Sequence, residues 1–149
     1  MGSLLAIARH HESRAPIEVL AEAEVSSSSG ISGDYHGATA GRQLVVVGTE
    51  GWSDACRELG KEVPWTARRG NLLVSGVDLY ESAHKFLRVG SVILRITEEC
   101  APCHVMDKQS PGLRAALKDR WRAGVSCIVI RGGTIRVGDE VSLASVSKQ

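Results

Sequence analysis

Two thiols three positions apart, Cys100 and Cys103, stand in the segment Thr97-Glu98-Glu99-Cys100-Ala101-Pro102-Cys103-His104. A thiolate can act as a nucleophile, carry sulfur as a persulfide, or ligate a soft metal. Pro102 fixes the turn and biases Ala101 away from helical geometry, so the backbone presents Cys103 from a defined loop, with the His104 imidazole beside it. A structural zinc site would need two more ligands from Cys56, Cys127, His84 or His104, and no second C-x-x-C or H-x-H pairing supplies them. A thioredoxin-like motif requires a βαβ pattern with the thiol pair opening a helix, and this chain reads as mostly strands. The plain alternative is a pair of reduced cysteines without a role.

Two further clusters carry chemistry. Arg68-Arg69-Gly70-Asn71 offers two guanidiniums, a glycine that lets a backbone approach closely, and an amide, a set that could hold a phosphate or the edge of a pterin. A solvated basic turn is the bland alternative. Gly33-Asp34-Tyr35-His36-Gly37 offers a carboxylate, a phenol and an imidazole between glycines, or simply an Asx-type turn with an exposed His. Cys56 on the apolar face of a helix and Cys127 in an apolar strand read as core filler.

The elements that must position these residues are mainly strands. Val92 to Ile96 enters a core just before the thiol pair, Glu18 to Val25 alternates apolar and polar residues, and Gln43 to Val47 is a β-branched buried run. Leu72 to Val74 is short and apolar. Val125 to Ile130, followed by Gly132-Gly133 and an alternating run from Ile135, predicts a hairpin. Leu87-Arg88-Val89-Gly90-Ser91-Val92 and Ile135-Arg136-Val137-Gly138-Asp139-Glu140-Val141 echo each other as strands broken at a glycine corner, which suits a small, strongly bent β-barrel. Two helices are predicted. One puts Trp52, Ala55, Cys56 and Leu59 on one face and ends at Gly60-Lys61. The other is capped by Ser110, has Pro111 in its first turn, buries Leu113, Ala116 and Leu117, and ends before Gly124. Ser26 to Gly41 reads as a long Ser- and Gly-rich loop.

Composition sets the outer bounds. The 149 residues, 43% apolar and 23% charged, suit one compact domain with one core. Eighteen basic against seventeen acidic residues give a net charge of +1, which argues against a nucleic-acid or anionic-membrane footprint and leaves room for a local anion pocket. The apolar run at the N-terminus is too short for a secretory or spanning segment, so a soluble cytoplasmic protein with four reduced cysteines is expected.

Taken in order, these pieces resemble the MOSC domain, the family named for the C-terminal domain of molybdenum cofactor sulfurases and found also in amidoxime-reducing and 6-hydroxylaminopurine-reducing enzymes. The resemblance spans roughly Ile17 to Leu143, within a single domain over 1–149. It rests on Gly33-Asp34-Tyr35-His36-Gly37, on Arg69-Gly70-Asn71-Leu72 where members often read Gly-Glu-Asn-Leu, on the glycine-cornered strand from Leu87 to Ile96, and on Pro102-Cys103. It implies a mainly β fold, a small bent β-barrel with a few short helices. It also implies a molybdenum cofactor, a pyranopterin, with Cys103 as the molybdenum ligand or persulfide carrier and Cys100 as neighbour or resolving thiol. By the same resemblance Arg68 or Arg69, Asn71, Thr97 and His36 contact the cofactor side. A cysteine desulfurase or an electron-donor protein is the implied partner. A reductase of N-hydroxylated compounds is one alternative activity, and a small β-barrel binding module with incidental cysteines is another.

Overall fold

The computed structural model describes residues 2–12 and 15–144. In chain order they form β1 (Gly2–Arg9), β2 (Glu18–Leu20), β3 (Glu22–Ser26), β4 (Gly30–Ile31), β5 (Leu44–Gly48), α1 (Thr49–Leu59), a 3-10 turn (Trp65–Arg68), β6 (Leu72–Ser75), β7 (Phe86–Val89) and β8 (Val92–Glu99). Then follow α2 (Val105–Gln109), α3 (Leu113–Lys118), a second 3-10 turn (Asp119–Trp121), β9 (Val125–Arg131), β10 (Gly133–Arg136) and β11 (Glu140–Ala144).

Among the described residues seven strands close a barrel in the order β1-β11-β7-β8-β9-β5-β6 and back to β1, with β2 hung on the outer edge of β1. Closure comes from β1 against β11, Gly2 opposite Val141 and Ser3 opposite Glu140, so the first and last described strands seal the ring. The expected mainly β, bent barrel is the observed fold. It reaches further toward the N-terminus than the resemblance, which began at Ile17, implied, because β1 is itself a barrel strand. A second, three-stranded sheet, β10-β3-β4, packs beside it.

The run Leu44-Val45-Val46-Val47 is apolar at every position because β5 is buried on both faces. Leu44 and Val46 face the barrel interior with Leu4, Leu72, Leu94 and Ile96. Val45 and Val47 face a helical layer with Trp52, Ala55, Met106, Leu113 and Leu117. A parallel β5–β6 pair requires a long crossover, and α1 supplies it while packing over β5. The first predicted helix is α1, ended at Gly60 by N–H bonds to Cys56 and Arg57 carbonyls.

Four local expectations are corrected. The hairpin at Gly132-Gly133 does not form: β9 pairs with β8 and β5, whereas β10 pairs with β3 in the other sheet. At this crossing a Cβ on Gly132 would lie 2.3 Å from the Val25 carbonyl oxygen. The run Glu18 to Val25 is two strands in two sheets, because the Ala21 carbonyl leaves the ladder to accept the Val137 N–H at 2.9 Å. The second helix begins at Leu113, later than expected. Gly112 takes a left-handed φ of 89°, and Ser110 is extended and closes α2 through its N–H to Met106, so its hydroxyl caps nothing. The segment read as one long loop from Ser26 also contributes β4.

Candidate functional site

Cys103 follows β8 and stands two residues before α2, so the thiol pair does open a helix, a short one. Its backbone carbonyl accepts the Met106 N–H at 3.0 Å, which fixes the turn that Pro102 stiffens. Cys103 is the exposed cysteine among the four, whereas Cys56, Cys100 and Cys127 are buried. Burial pushes the Cys127 thiol well above its ordinary range, and Cys56 Sγ donates to the Val63 carbonyl. These two are core residues. Among the described residues no three His, Cys, Asp or Glu side chains converge as a metal cage.

Cys103 lies on the wall of a cleft of about 210 Å³. Arg68, Arg69 and Asn71 enter it from the turn before β6, His36 and Arg42 from the loop before β5, and His10 from the end of β1, with Val105 and Met106 beside the thiol. Wider clefts exist elsewhere. One of about 390 Å³ runs between the start of α1 and Trp121 and holds no thiol, and another beside α1 holds only the buried Cys56.

The sequence-selected residues play unequal parts in this geometry. Arg68 lines the cleft, but its guanidinium donates to the Ala123 carbonyl at 2.9 Å, to the Cys100 carbonyl at 3.1 Å and to Cys100 Sγ, which ties the 3-10 turn to the cysteine loop. Arg69 stands at the end of that turn in the left-handed region, φ 60°, and its guanidinium donates to Ala15 at 2.7 Å. Asn71 is buried: its Oδ1 accepts the Val45 N–H at 2.9 Å and its Nδ2 donates to the Ala8 carbonyl at 3.1 Å, joining β5 to β1. Thr97 does not line the cleft; its hydroxyl bridges the Gly41 and Ser126 carbonyls. His36 does line it, and burial, then the Arg42 charge, hold its imidazole below the ordinary value while Asp34 opposes them.

Sequence reasoning missed His10, Arg42 and Met106. His10 is packed against the loop that carries His36: its backbone N–H donates to Asp34 Oδ1 at 3.1 Å, its carbonyl accepts the Tyr35 N–H at 2.7 Å, and its ring lies about 6 Å from both Tyr35 and His36. Nothing local in the sequence marks it, because residue 10 meets residue 34 only through the folded chain. Arg42 had a weak signal, a lone cation just before the apolar β5 run.

The closed seven-stranded barrel with a few short helices is the fold that the resemblance to the MOSC domain implied. The MOSC domain family model matches residues 32–142, and the chain belongs to that family. Among solved structures, the YuaD protein from Bacillus subtilis superposes with a TM-score of 0.80 at 21% identity, over 97% of each chain. YiiM from Geobacillus stearothermophilus gives 0.74 at 13% identity over 97% of this chain and 76% of its own, and YiiM from Escherichia coli 0.70 at 16% over 96% and 70%. These likenesses are of fold. No curated protein matches the chain. No helix among the described residues is long and apolar enough to cross a membrane.

The donor set fits the cofactor associated with this family. A soft metal in a pterin dithiolene takes a thiolate, a terminal phosphate takes guanidiniums, and the cleft presents both chemistries within one wall. His10, which also lines the cleft, carries an orphaned polar atom: its Nδ1 is buried with no hydrogen-bond partner.

Proposed function

We propose that this MOSC protein binds a molybdenum cofactor in the Cys103 cleft, with Cys103 Sγ as the protein's ligand or sulfur-accepting atom. The observation that carries this reading is the pairing of the exposed Cys103 with Arg69 and Arg42 on one cleft, while the other three cysteines are buried. When bound, the cofactor would supply a soft, redox-active metal on an electron-rich pterin. The chain's own residues divide the remaining tasks. Arg69 and Arg42 take the anionic end, and Arg68 holds the Cys100 to Cys103 loop in place through its two contacts to Cys100, while its third goes to the Ala123 carbonyl. Asn71 fixes the cleft floor by tying β5 to β1.

Cys100 serves this reading as a structural neighbour. Its thiol is buried beneath Arg68, so resolving a persulfide on Cys103 would require the loop to move. The open thiol is accessible to a protein partner, a cysteine desulfurase or an electron donor. Reduction of N-hydroxylated compounds is the activity to assay once cofactor is present.

The test is metal and pterin content of protein produced in a host that makes the cofactor. Molybdenum near one per chain, with pterin fluorescence after oxidation, is expected for the wild type. Cys103→Ser should lose molybdenum, and Arg69→Ala, by removing a charge-assisted hydrogen-bond pair, should weaken retention about ten- to a hundred-fold with the far-UV spectrum unchanged. Wild-type protein without molybdenum or pterin would overturn the reading.

A further inference from the structure

His10 is only 4% exposed, yet it lines the Cys103 cleft. Its Nδ1 has no hydrogen-bond partner and faces Asp34 Oδ1 at 3.8 Å, too long for a bond. The Asp34 side chain is itself buried, at 1% exposure, and is fixed by the backbone N–H groups of His10 at 3.1 Å and His36 at 3.2 Å. Buried polar atoms without partners are rare enough in folded proteins to call for an explanation.

The two ring nitrogens face different surroundings. Nδ1 is walled off, with the Asp34 carboxylate as the acceptor facing it. Nε2 has no hydrogen bond and is not among the buried partnerless atoms, so it is the nitrogen through which the ring meets the cleft. Burial, then the Arg69 charge, and to a smaller extent His36, hold His10 below its ordinary value against the opposing pull of Asp34, so one proton remains on the ring at neutral pH. A carboxylate beside Nδ1 places that proton on Nδ1 and leaves a lone pair on Nε2. Among the other polar groups of the cleft, Arg42, Arg68 and Arg69 can only donate and the Asn71 amide is spent on Val45 and Ala8. His36 and the Cys103 sulfur can also accept, but His10 is the imidazole whose ring nitrogen faces a buried carboxylate, which sets its tautomer.

We propose that His10 is a specificity-determining residue of the cleft, its Nδ1–H closing onto Asp34 and its Nε2 accepting an N–H or O–H of the bound molecule. The class of ligand this selects is an oxyanion that also carries a hydrogen-bond donor on a planar polar body, rather than a bare oxyanion. The guanidiniums hold either kind. A site built around an acceptor rejects the molecule that cannot fill it, because the buried lone pair is then left unpaired. The inference rests on the cleft being the binding site proposed above, and it adds a residue and a selection rule to it.

Two measurements test it. Imidazole nitrogen resonances of the ligand-free protein labelled with nitrogen-15 should show His10 with Nδ1 protonated and Nε2 bare at neutral pH. A protonated Nε2 overturns the proposal. Calorimetric titration with a pterin monophosphate and with inorganic sulfate should show the pterin monophosphate bound more tightly. His10→Phe, which keeps the ring shape without a lone pair, should lower pterin affinity about tenfold or more and leave sulfate unchanged. His10→Gln, which keeps an acceptor, should recover most of the loss. Equal pterin affinity in the wild type and His10→Phe overturns the proposal. Failure of the wild type to bind either anion sinks the cofactor reading, and the nitrogen resonances then decide on His10 alone.

Discussion

At the scale of single residues, the cleft holds two imidazoles kept from charging by their surroundings. His10 and His36 both sit below the ordinary 6.5, in each case chiefly through burial, with Arg69 and Arg42 adding to it. A histidine whose folded pKa is depressed binds its proton more readily in the unfolded chain. Its contribution to stability is therefore complete above about 6.5 and is lost as pH falls from there through the folded pKa. The exposed carboxylates Glu18 and Glu58 are held below their ordinary 4.5 by hydrogen bonds from Arg9 and Arg122, so their contribution is lost only at lower pH. We expect the urea midpoint to fall as pH drops from 7.5 to 5.5 and the slope to flatten in His10→Phe. A midpoint independent of pH across this window would show that neither imidazole is held neutral by the fold. None of this was legible in the sequence. The Cys103 turn was, because a proline beside a thiol acts on its immediate neighbours, whereas the pKa of His10 depends on residues 34 and 69.

Elements explain which parts of the fold could be read and which could not. Helix α1 has its stripe and its glycine end written within twelve residues, and β5 declares its double burial by being apolar throughout. The Gly132-Gly133 pair was equally clear as a turn signal, but a turn says nothing about which strand the chain pairs with next, and β10 found β3 more than a hundred positions away in sequence. Asn71 shows the same limit at the site: its position just before β6 was legible, and its use as a tie between β1 and β5 was not. Replacing it tests that tie. Asn71→Leu leaves the Val45 N–H and the Ala8 carbonyl buried without their side-chain partners, at about 1–3 kcal/mol for each, so a loss of about 2–6 kcal/mol is expected from urea unfolding. A change under about 0.5 kcal/mol would mean that water or a backbone shift satisfies both groups.

For the molecule as a whole, the question is whether barrel and helical layer are one cooperative unit. They share β5, whose alternate residues belong to two apolar clusters, so neither cluster can open without stripping one face of the same strand. The ring is closed by strands from opposite ends of the described chain, which makes its pairing non-local and leaves no seam where a part could peel away. The three tryptophans divide between the layers, Trp52 and Trp65 in the helical layer and Trp121 against the barrel cluster, so in Trp121→Phe the remaining fluorescence reports the helical layer while the barrel strands dominate the far-ultraviolet circular dichroism. Urea unfolding of this variant followed by tryptophan fluorescence and by circular dichroism should therefore give coincident transitions with one midpoint, the mark of two-state behaviour in a domain of this size. Fluorescence changing at lower urea than circular dichroism would show that α1 to α3 lift off a surviving barrel. In that case Met106 and the Cys103 loop would belong to the part that opens first, and the cleft would be a site the fold can expose without unfolding.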